Sequence, residues 1–290
     1  MQQIKSILVV GSGIMGRGIA YASAVGGYQT FLQDISEEML QQAEKEIEQF
    51  FETGISRGKL TASEAAQAKE RISYSTQLED YAPQVDLVIE AVPEVMEIKA
   101  EVFRKLDKLT PAHTILATNT STMSPTEIGS HTERPEKVIA MHFFNPVPKM
   151  KLVEIIKGLE TSEETCSTVK EVAVTMGKEP VVINEFPGFV TSRISSLVGN
   201  EAFHMLAEGV GTPEEIDKAI ELGLNYPMGP FKLADLVGLD TRLKNLEYLH
   251  KTLGERFRPS PLLVKYVKAG RLGRKTGRGV YDYTKKEGEE

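Results

Sequence analysis

The feature that most constrains this chain is the run Ile7-Leu8-Val9-Val10-Gly11-Ser12-Gly13-Ile14-Met15-Gly16, in which four consecutive apolar residues lead into glycines spaced G-x-G-x-x-G. An apolar run without alternation suits a strand buried on both faces, and the small and apolar residues from Ile14 to Val25 suit a helix packed against it. The glycines then occupy a strand-to-helix turn. Gly11 permits the tight turn, Gly13 lets the backbone approach a pyrophosphate, and Gly16 lets the helix lie close to the strand. The helix N-terminus, with Ile14 and Met15 in its first turn, adds N–H donors and the positive end of the helix dipole. Tyr28 to Gln33 reads as a second strand ending in Asp34, about 20 residues beyond the turn, where a carboxylate accepts bonds from ribose hydroxyls. Strand, turn, helix, strand and acid in that order predict a dinucleotide site.

A length of 290 residues favours one large domain and a smaller one. With 41% hydrophobic and 26% charged residues the composition is that of a soluble globular protein, with disorder expected only at the ends. A net charge of −7 lacks the basic excess that phosphate-backbone binding requires, so no nucleic-acid partner is expected. Cys166 is the single cysteine, which excludes an internal disulfide, and no Cys/His cluster has metal-ligand spacing. The first strand begins within a few residues of Met1, and no run reaches membrane-spanning length. The expectation is an untargeted cytoplasmic protein with no metal and no membrane partner.

After Asp34, Ser36 is a candidate N-cap for a helix running to about Thr53 and ended by Gly54. Ser56 to Thr61 reads as a turn, and Thr61 with Glu64 has capping-box spacing for a second helix. The resulting hairpin carries Arg57 and Lys59 on its turn, candidates to meet an anionic ligand. Val85 to Val92 is another buried-strand pattern, followed by Pro93-Glu94 and a helix from Val95 to Leu109. In open α/β sheets ligands bind outside the carboxyl ends of the strands, so Glu94 and Lys99 are candidate cofactor or substrate contacts. Thr114 to Thr122 repeats the pattern and ends in a polar tip that includes Asn119 and Ser121, for which turn chemistry is an alternative explanation.

Val138 to Pro146 ends a further strand with His142 beside two aromatics and an Asn145-Pro146 turn. Lys151 to Ile156 places Glu154 inside an apolar run. Burying a lone charge is costly, so Glu154 either faces solvent or pairs with a cation, for which His142 is the candidate. Polar groups gathered at strand ends suit proton transfer beside a bound nicotinamide. Glu163 to Met176 reads as a helix ended by Gly177, and Glu179 to Ile183 as the last strand. Beyond it the pattern is helical: Phe189 to Glu208, Pro213 to Leu222, Phe231 to Leu253 and Leu262 to Lys268. A Rossmann-type doubly wound domain over residues 1–184, with the hairpin inserted, and an all-helical domain over 185–290 are therefore expected, the chain closing on a charged tail, Lys285 to Glu290.

Several of these motifs in order resemble the short-chain L-3-hydroxyacyl-CoA dehydrogenases, of the bacterial 3-hydroxybutyryl-CoA type, over essentially the whole length. The resemblance rests on the Gly11–Gly18 loop, Ala91-Val92-Pro93-Glu94, Thr118-Asn119-Thr120-Ser121, His142-Phe143-Phe144-Asn145-Pro146, Leu152-Val153-Glu154, Pro187-Gly188-Phe189 and Pro227-Met228-Gly229-Pro230. It implies NAD as cofactor, a short 3-hydroxyacyl-CoA substrate, a role in fatty-acid metabolism, and a homodimer built through the helical domain. It also implies His142 as general acid/base, Glu154 as its orienting carboxylate and Ser121 as partner of the substrate's 3-oxygen. Asp34, Glu94, Lys99 and Asn119 match cofactor-side positions, and Asn145 a substrate contact. Where the family has Asn in P-G-F-x-x-N-R, this chain has Ser192, which keeps one hydroxyl donor and lacks an amide's reach. Two other readings are a related β-hydroxyacid dehydrogenase with a lysine base and a non-catalytic nucleotide-binding Rossmann protein. Against the first, no lysine occurs between Lys178 and Lys218. Against the second, Ser121, His142 and Glu154 are all retained.

Overall fold

In the computed structural model, which describes residues 3–284, the chain divides into two units, Met1–Phe186 and Pro187–Glu290. The tail from Lys285 to Glu290 lies outside the described residues. The apolar run forms β1 (Ser6–Val10), the glycine turn follows, and α1 (Ile14–Val25) leads to β2 (Gln29–Gln33). β1 pairs in parallel with β2 on one side and with β4 (Leu87–Glu90) on the other, and Ile7, Leu8 and Val9 are fully buried, as an unbroken apolar run demands. Beyond β4 lie β5 (Ile115–Thr118) and β6 (Val138–Phe143), also parallel. β7 (Leu152–Lys157) runs antiparallel to β6, and β8 (Glu179–Asn184) runs parallel to β7. With β3 (Ile72–Ser75) at the far edge, the eight-stranded order is β3-β2-β1-β4-β5-β6-β7-β8. The chain starts at the centre of the sheet and winds outward in both directions, so the carboxyl ends of β1 and β4 flank the topological switch point.

Two details of the first unit depart from the sequence reading. β3 was not anticipated, because its four half-buried residues, Ile-Ser-Tyr-Ser, form a short edge strand without an apolar run. Gly54 does not end its helix: α2 (Glu37–Ser56) runs past it, and a Cβ at Gly54 would meet Leu60 Cδ1 and Tyr21 Oη, each at 3.1 Å. Glycine there serves close packing. Ser36 caps α2, and Thr61 and Glu64 form the expected capping box on α3 (Ala62–Glu70). α4 (Met96–Leu109), α5 (Pro125–Gly129) and α6 (Glu163–Thr175) complete this unit, and no helix among the described residues is long and apolar enough to cross a membrane.

The second unit is helical: α7 (Thr191–Ala207), α8 (Pro213–Gly223), α9 (Pro230–Val237), α10 (Leu239–Leu253) and α11 (Pro261–Lys268). The single helix expected from Phe231 to Leu253 is broken at Gly238, whose φ of 101° is one that side-chain-bearing residues rarely adopt. Phe203, Phe231, Leu246, Leu249 and Phe257 form its core. Buried Asp217 accepts from the N–H groups of Phe231 and Lys232 at 2.8 and 3.1 Å, a carboxylate cap on the first turn of α9.

One buried cation holds the connection between β6 and β7. Lys178 Nζ donates to the carbonyls of Val147 at 2.5 Å and Met150 at 2.9 Å, and a Cβ on Gly18 of α1 would meet Val147 Cβ at 2.8 Å. The segment that follows β6 is thus pressed against the helix of the glycine turn. Burial, aided by the charge of Lys59, draws the Lys178 amine down to about 8. The folded value lies below that of an unfolded lysine, so between about pH 8 and about 10.4 the unfolded chain binds more protons and stability rises with pH. Urea unfolding at pH 7 and 9.5 should show the wild type gaining on Lys178→Met by about 1–2 kcal/mol. An equal pH response of the two proteins would contradict this.

Candidate active site

At the switch point the glycines differ in what constrains them. Gly11 has φ 96° and a Cβ there would lie 2.8 Å from the Ala91 carbonyl oxygen, while a Cβ on Gly16 would lie 1.7 Å from the carbonyl oxygen of Gly11. A Cβ on Gly13 would meet nothing of the protein within 4 Å. Packing therefore requires Gly11 and Gly16, and the open space beside Gly13 suits a ligand. Gly13 is the N-cap of α1 and provides no side-chain cap, so the helix turns its N–H donors toward that space. Ile14 is 59% exposed at its rim and Met15 half-buried. This arrangement fits a pyrophosphate.

Asp34, just past β2, does more than the motif implies. Its Oδ2 accepts from Ser12 N at 2.8 Å and Ser12 Oγ at 2.9 Å, and its Oδ1 from Ser36 N at 3.0 Å. The carboxylate thereby fastens the glycine turn to the end of β2, and its remaining lone pairs can accept ribose hydroxyls. Ser12 was absent from the sequence-derived set. Its only signal in the sequence is a hydroxyl residue between Gly11 and Gly13.

The tips of β4 and β5 are joined through buried charge. Glu90, fully buried at the end of β4, accepts from Val92 N at 2.7 Å, Lys99 Nζ at 2.8 Å and Thr118 Oγ1 at 2.7 Å. Lys99 also reaches Glu94 at 3.2 Å and is only 1% exposed, so it sits beneath the ligand-facing surface, enclosed by two carboxylates. That placement corrects the expectation of a direct contact. Glu94 Oε1 accepts from Thr120 Oγ1 at 2.5 Å, Ser121 N at 2.9 Å and Thr122 N at 3.3 Å. Burial alone would raise the Glu94 carboxyl, but the Lys99 charge and these hydrogen bonds outweigh it and hold it below the ordinary value. Ser121 is thus positioned by Glu94, and Glu94 by Lys99 and, behind it, Glu90. Glu90 was missed, although a lone carboxylate within an apolar strand was the same signal that singled out Glu154.

The reversal of β7 supplies the other half of the site. Antiparallel register sets His142 directly opposite Glu154, and His142 Nδ1 lies 2.8 Å from Glu154 Oε2, both side chains buried. Of the two options open to Glu154, the structure realises the pair with His142. The Phe144 ring lies 4.5 Å from the imidazole at a 48° tilt. Asn119 Oδ1 accepts from Phe143 N at 2.9 Å, which ties the β5 tip to the strand that carries His142. The Asn145-Pro146 peptide is cis, and Asn145 is exposed.

The remaining candidates lie on other elements. Arg57 and Lys59 are exposed on the α2–α3 turn, Lys59 near enough to act electrostatically on Lys178. Ser192 belongs to the second unit, half-buried in the first turn of α7.

Residues 6–186 match the family model of the 3-hydroxyacyl-CoA dehydrogenase NAD binding domain, and residues 188–283 that of the 3-hydroxyacyl-CoA dehydrogenase C-terminal domain. Among similar proteins, the probable 3-hydroxybutyryl-CoA dehydrogenase of Bacillus subtilis is 49% identical over 285 residues, covering 98% of this chain and 99% of its own. The 3-hydroxybutyryl-CoA dehydrogenase of Bradyrhizobium diazoefficiens is 43% identical over 281 residues, covering 97% and 96%. The crystal structure of (S)-3-hydroxybutyryl-CoA dehydrogenase PaaH1 from Ralstonia eutropha superposes with a TM-score of 0.93 at 42% identity, covering 98% of this chain and 100% of that one. With both family models matched in order across nearly its full length, the chain belongs to the 3-hydroxyacyl-CoA dehydrogenase family.

Proposed function

We propose that the protein catalyses the reversible NAD-dependent oxidation of short-chain (S)-3-hydroxyacyl-CoA to 3-oxoacyl-CoA, with 3-hydroxybutyryl-CoA and acetoacetyl-CoA as its substrate pair. The observation that supports this best is the buried His142–Glu154 pair, at the same carboxyl edge of the sheet as the glycine turn. Oxidising a secondary alcohol removes a hydride from carbon and a proton from oxygen. NAD, when bound, supplies the hydride acceptor. Glu154 on Nδ1 keeps the imidazole in the tautomer whose Nε2 accepts the proton of the 3-hydroxyl, and it stabilises the imidazolium that results. Ser121 Oγ donates to the 3-oxygen, with Ser192 and Asn145 as further substrate contacts.

Gly11, Gly13, Ile14, Met15 and Gly16 form the pyrophosphate cradle in this reading, and Asp34 binds the ribose. Asn119 and Glu94 shape the nicotinamide end, Lys99 acting through Glu94. Residues 1–184 form the NAD domain, and 185–290 the substrate and dimerisation domain of a cytoplasmic homodimer. Exposed apolar side chains of the second unit, such as Leu222 at 75% and Val210 at 66%, support a paired surface there.

His142→Gln should bind NAD with unchanged affinity and lose turnover by about two to four orders of magnitude. Glu154→Gln should slow alcohol oxidation while leaving NAD affinity unchanged, because the imidazolium formed on His142 loses its carboxylate partner. Turnover equal to the wild type's would remove Glu154 from the proton path.

The wild type should prefer NAD over NADP, since Asp34 repels a 2′-phosphate and Ile35-Ser36 supplies no adjacent arginine to receive one. Asp34→Ser should narrow the preference. Equal kcat/KM for the two cofactors in the wild type would refute the assignment.

Arg57 and Lys59 are read as cations for the coenzyme A phosphates. Replacing both by Ala should raise KM for acetoacetyl-CoA far more than for an acetoacetyl thioester without the nucleotide, and added salt should reproduce the effect. Equal shifts for both substrates would assign the pair to a solvated turn.

A further inference from the structure

The carboxylates where β4 leaves the sheet carry a charge that is not cancelled. Glu90 and Glu94 share one cation, Lys99, whose Nζ lies 2.8 Å from Glu90 Oε1 and 3.2 Å from Glu94 Oε2. Among the described residues no other cation forms an ion pair with either carboxylate. Their remaining partners are neutral donors: Val92 N and Thr118 Oγ1 on Glu90, and Thr120 Oγ1, Ser121 N and Thr122 N on Glu94. Thr118 Oγ1 itself accepts from Thr120 N at 3.2 Å, so its proton goes to Glu90, which meets donors only, as an ionised carboxylate does. The Lys99 charge and its hydrogen bonds keep Glu94 ionised as well. Two anions and one cation leave one negative charge. Glu90 and Lys99 are buried, so salt and water screen that charge less than one on the surface.

The order of the sheet decides what this charge faces. β4 and β5 stand between β1, which leads into the glycine turn, and β6, which carries His142. A hydride acceptor that is joined to a pyrophosphate at the end of β1 and reacts beside His142 lies across the ends of β4 and β5, within three strand spacings of about 5 Å each. Hydride transfer changes the charge of that ring by one unit, from a neutral dihydropyridine in NADH to a cationic pyridinium in NAD. The fixed negative charge attracts only the second. We infer that the Glu90–Lys99–Glu94 triad discriminates between the two oxidation states of the cofactor, holding NAD more tightly than an uncharged triad would and making bound NADH the stronger hydride donor. The direction it favours is reduction. A hydride with its electron pair passes from NADH to the 3-carbonyl carbon, the oxygen takes its proton from His142, and the ring is left with the positive charge that the triad stabilises. The inference rests on the cofactor and reaction proposed above. It adds Glu90, which is fully buried and acts at a distance, as a residue that sets oxidation-state preference.

The test is the binding of NAD and of NADH to the full chain, each measured by calorimetry without substrate. Its readout is the ratio of the Kd for NAD to the Kd for NADH, in which a general loosening of the site cancels. Glu90→Gln keeps the shape of the side chain and leaves the triad neutral, so the ratio should rise by about threefold or more. Glu90→Gln combined with Lys99→Met removes the ion pair and leaves Glu94 as the one charge, so the ratio should return to within about twofold of the wild type. A merely structural role would not reverse when a second contact is lost. A ratio that stays put in the single variant, or that does not return in the double, would overturn the inference. Should Glu90→Gln fail to fold, Lys99→Met decides at about pH 9, where the two carboxylates left without their cation ionise: the ratio should fall below that of the wild type, and an equal or higher one would overturn the inference. Both forms bound with an unaltered ratio would refute the role of the triad alone, whereas wild type that binds neither would refute the proposed reaction with it.

Discussion

The direction of a single strand governs the chemistry of this molecule. β1, β2, β4, β5 and β6 run parallel, as helical crossovers require, but β7 turns back directly against β6. Opposed residues in an antiparallel ladder point to the same face at close range, so the register that sets His142 opposite Glu154 brings imidazole and carboxylate to 2.8 Å inside the protein. A slip of one residue would send the two side chains to opposite faces and leave a carboxylate buried alone. The fold and the His142–Glu154 pair are therefore specified by the same ladder.

Carboxylates recur where the chain leaves the sheet, and each holds a turn. Asp34 binds the glycine turn through Ser12, Glu90 binds Val92, Lys99 and Thr118, and Glu94 binds the tip from Thr120 to Thr122. Buried charge of this kind is tolerable only when its lone pairs are satisfied. Glu90 meets that condition with three donors, which is why Lys99 turns inward. Stiffness at the strand ends follows, and a site that must align a proton acceptor with a hydride acceptor benefits from it.

The second unit uses the same device for a different end. Asp217 caps α9 and accepts from the Tyr281 hydroxyl, and Asp235 accepts from the N–H groups of Val280 and Tyr281, so buried acids anchor the last described segment to the helices. Burial and the neighbouring Asp217 push the Tyr281 phenol upward, which keeps it a neutral donor.

The sequence by itself determined the parts whose signals are local. Unbroken apolar runs marked β1, β4, β5 and β6, glycine spacing marked the cradle, Thr61 with Glu64 marked a capping box, and Glu154 within an apolar run announced a buried partner. These are readable because period, backbone freedom and capping depend on neighbours within a few residues. Only the tertiary structure decided the rest. It turned Lys99 inward, gave Asp34 a second role on Ser12, kept Gly54 inside its helix against Tyr21 and Leu60, broke one expected helix at Gly238 and added β3 at the sheet edge. Each of these outcomes depends on groups far apart in the chain, whose proximity is set by packing, or on a backbone angle that glycine permits without requiring.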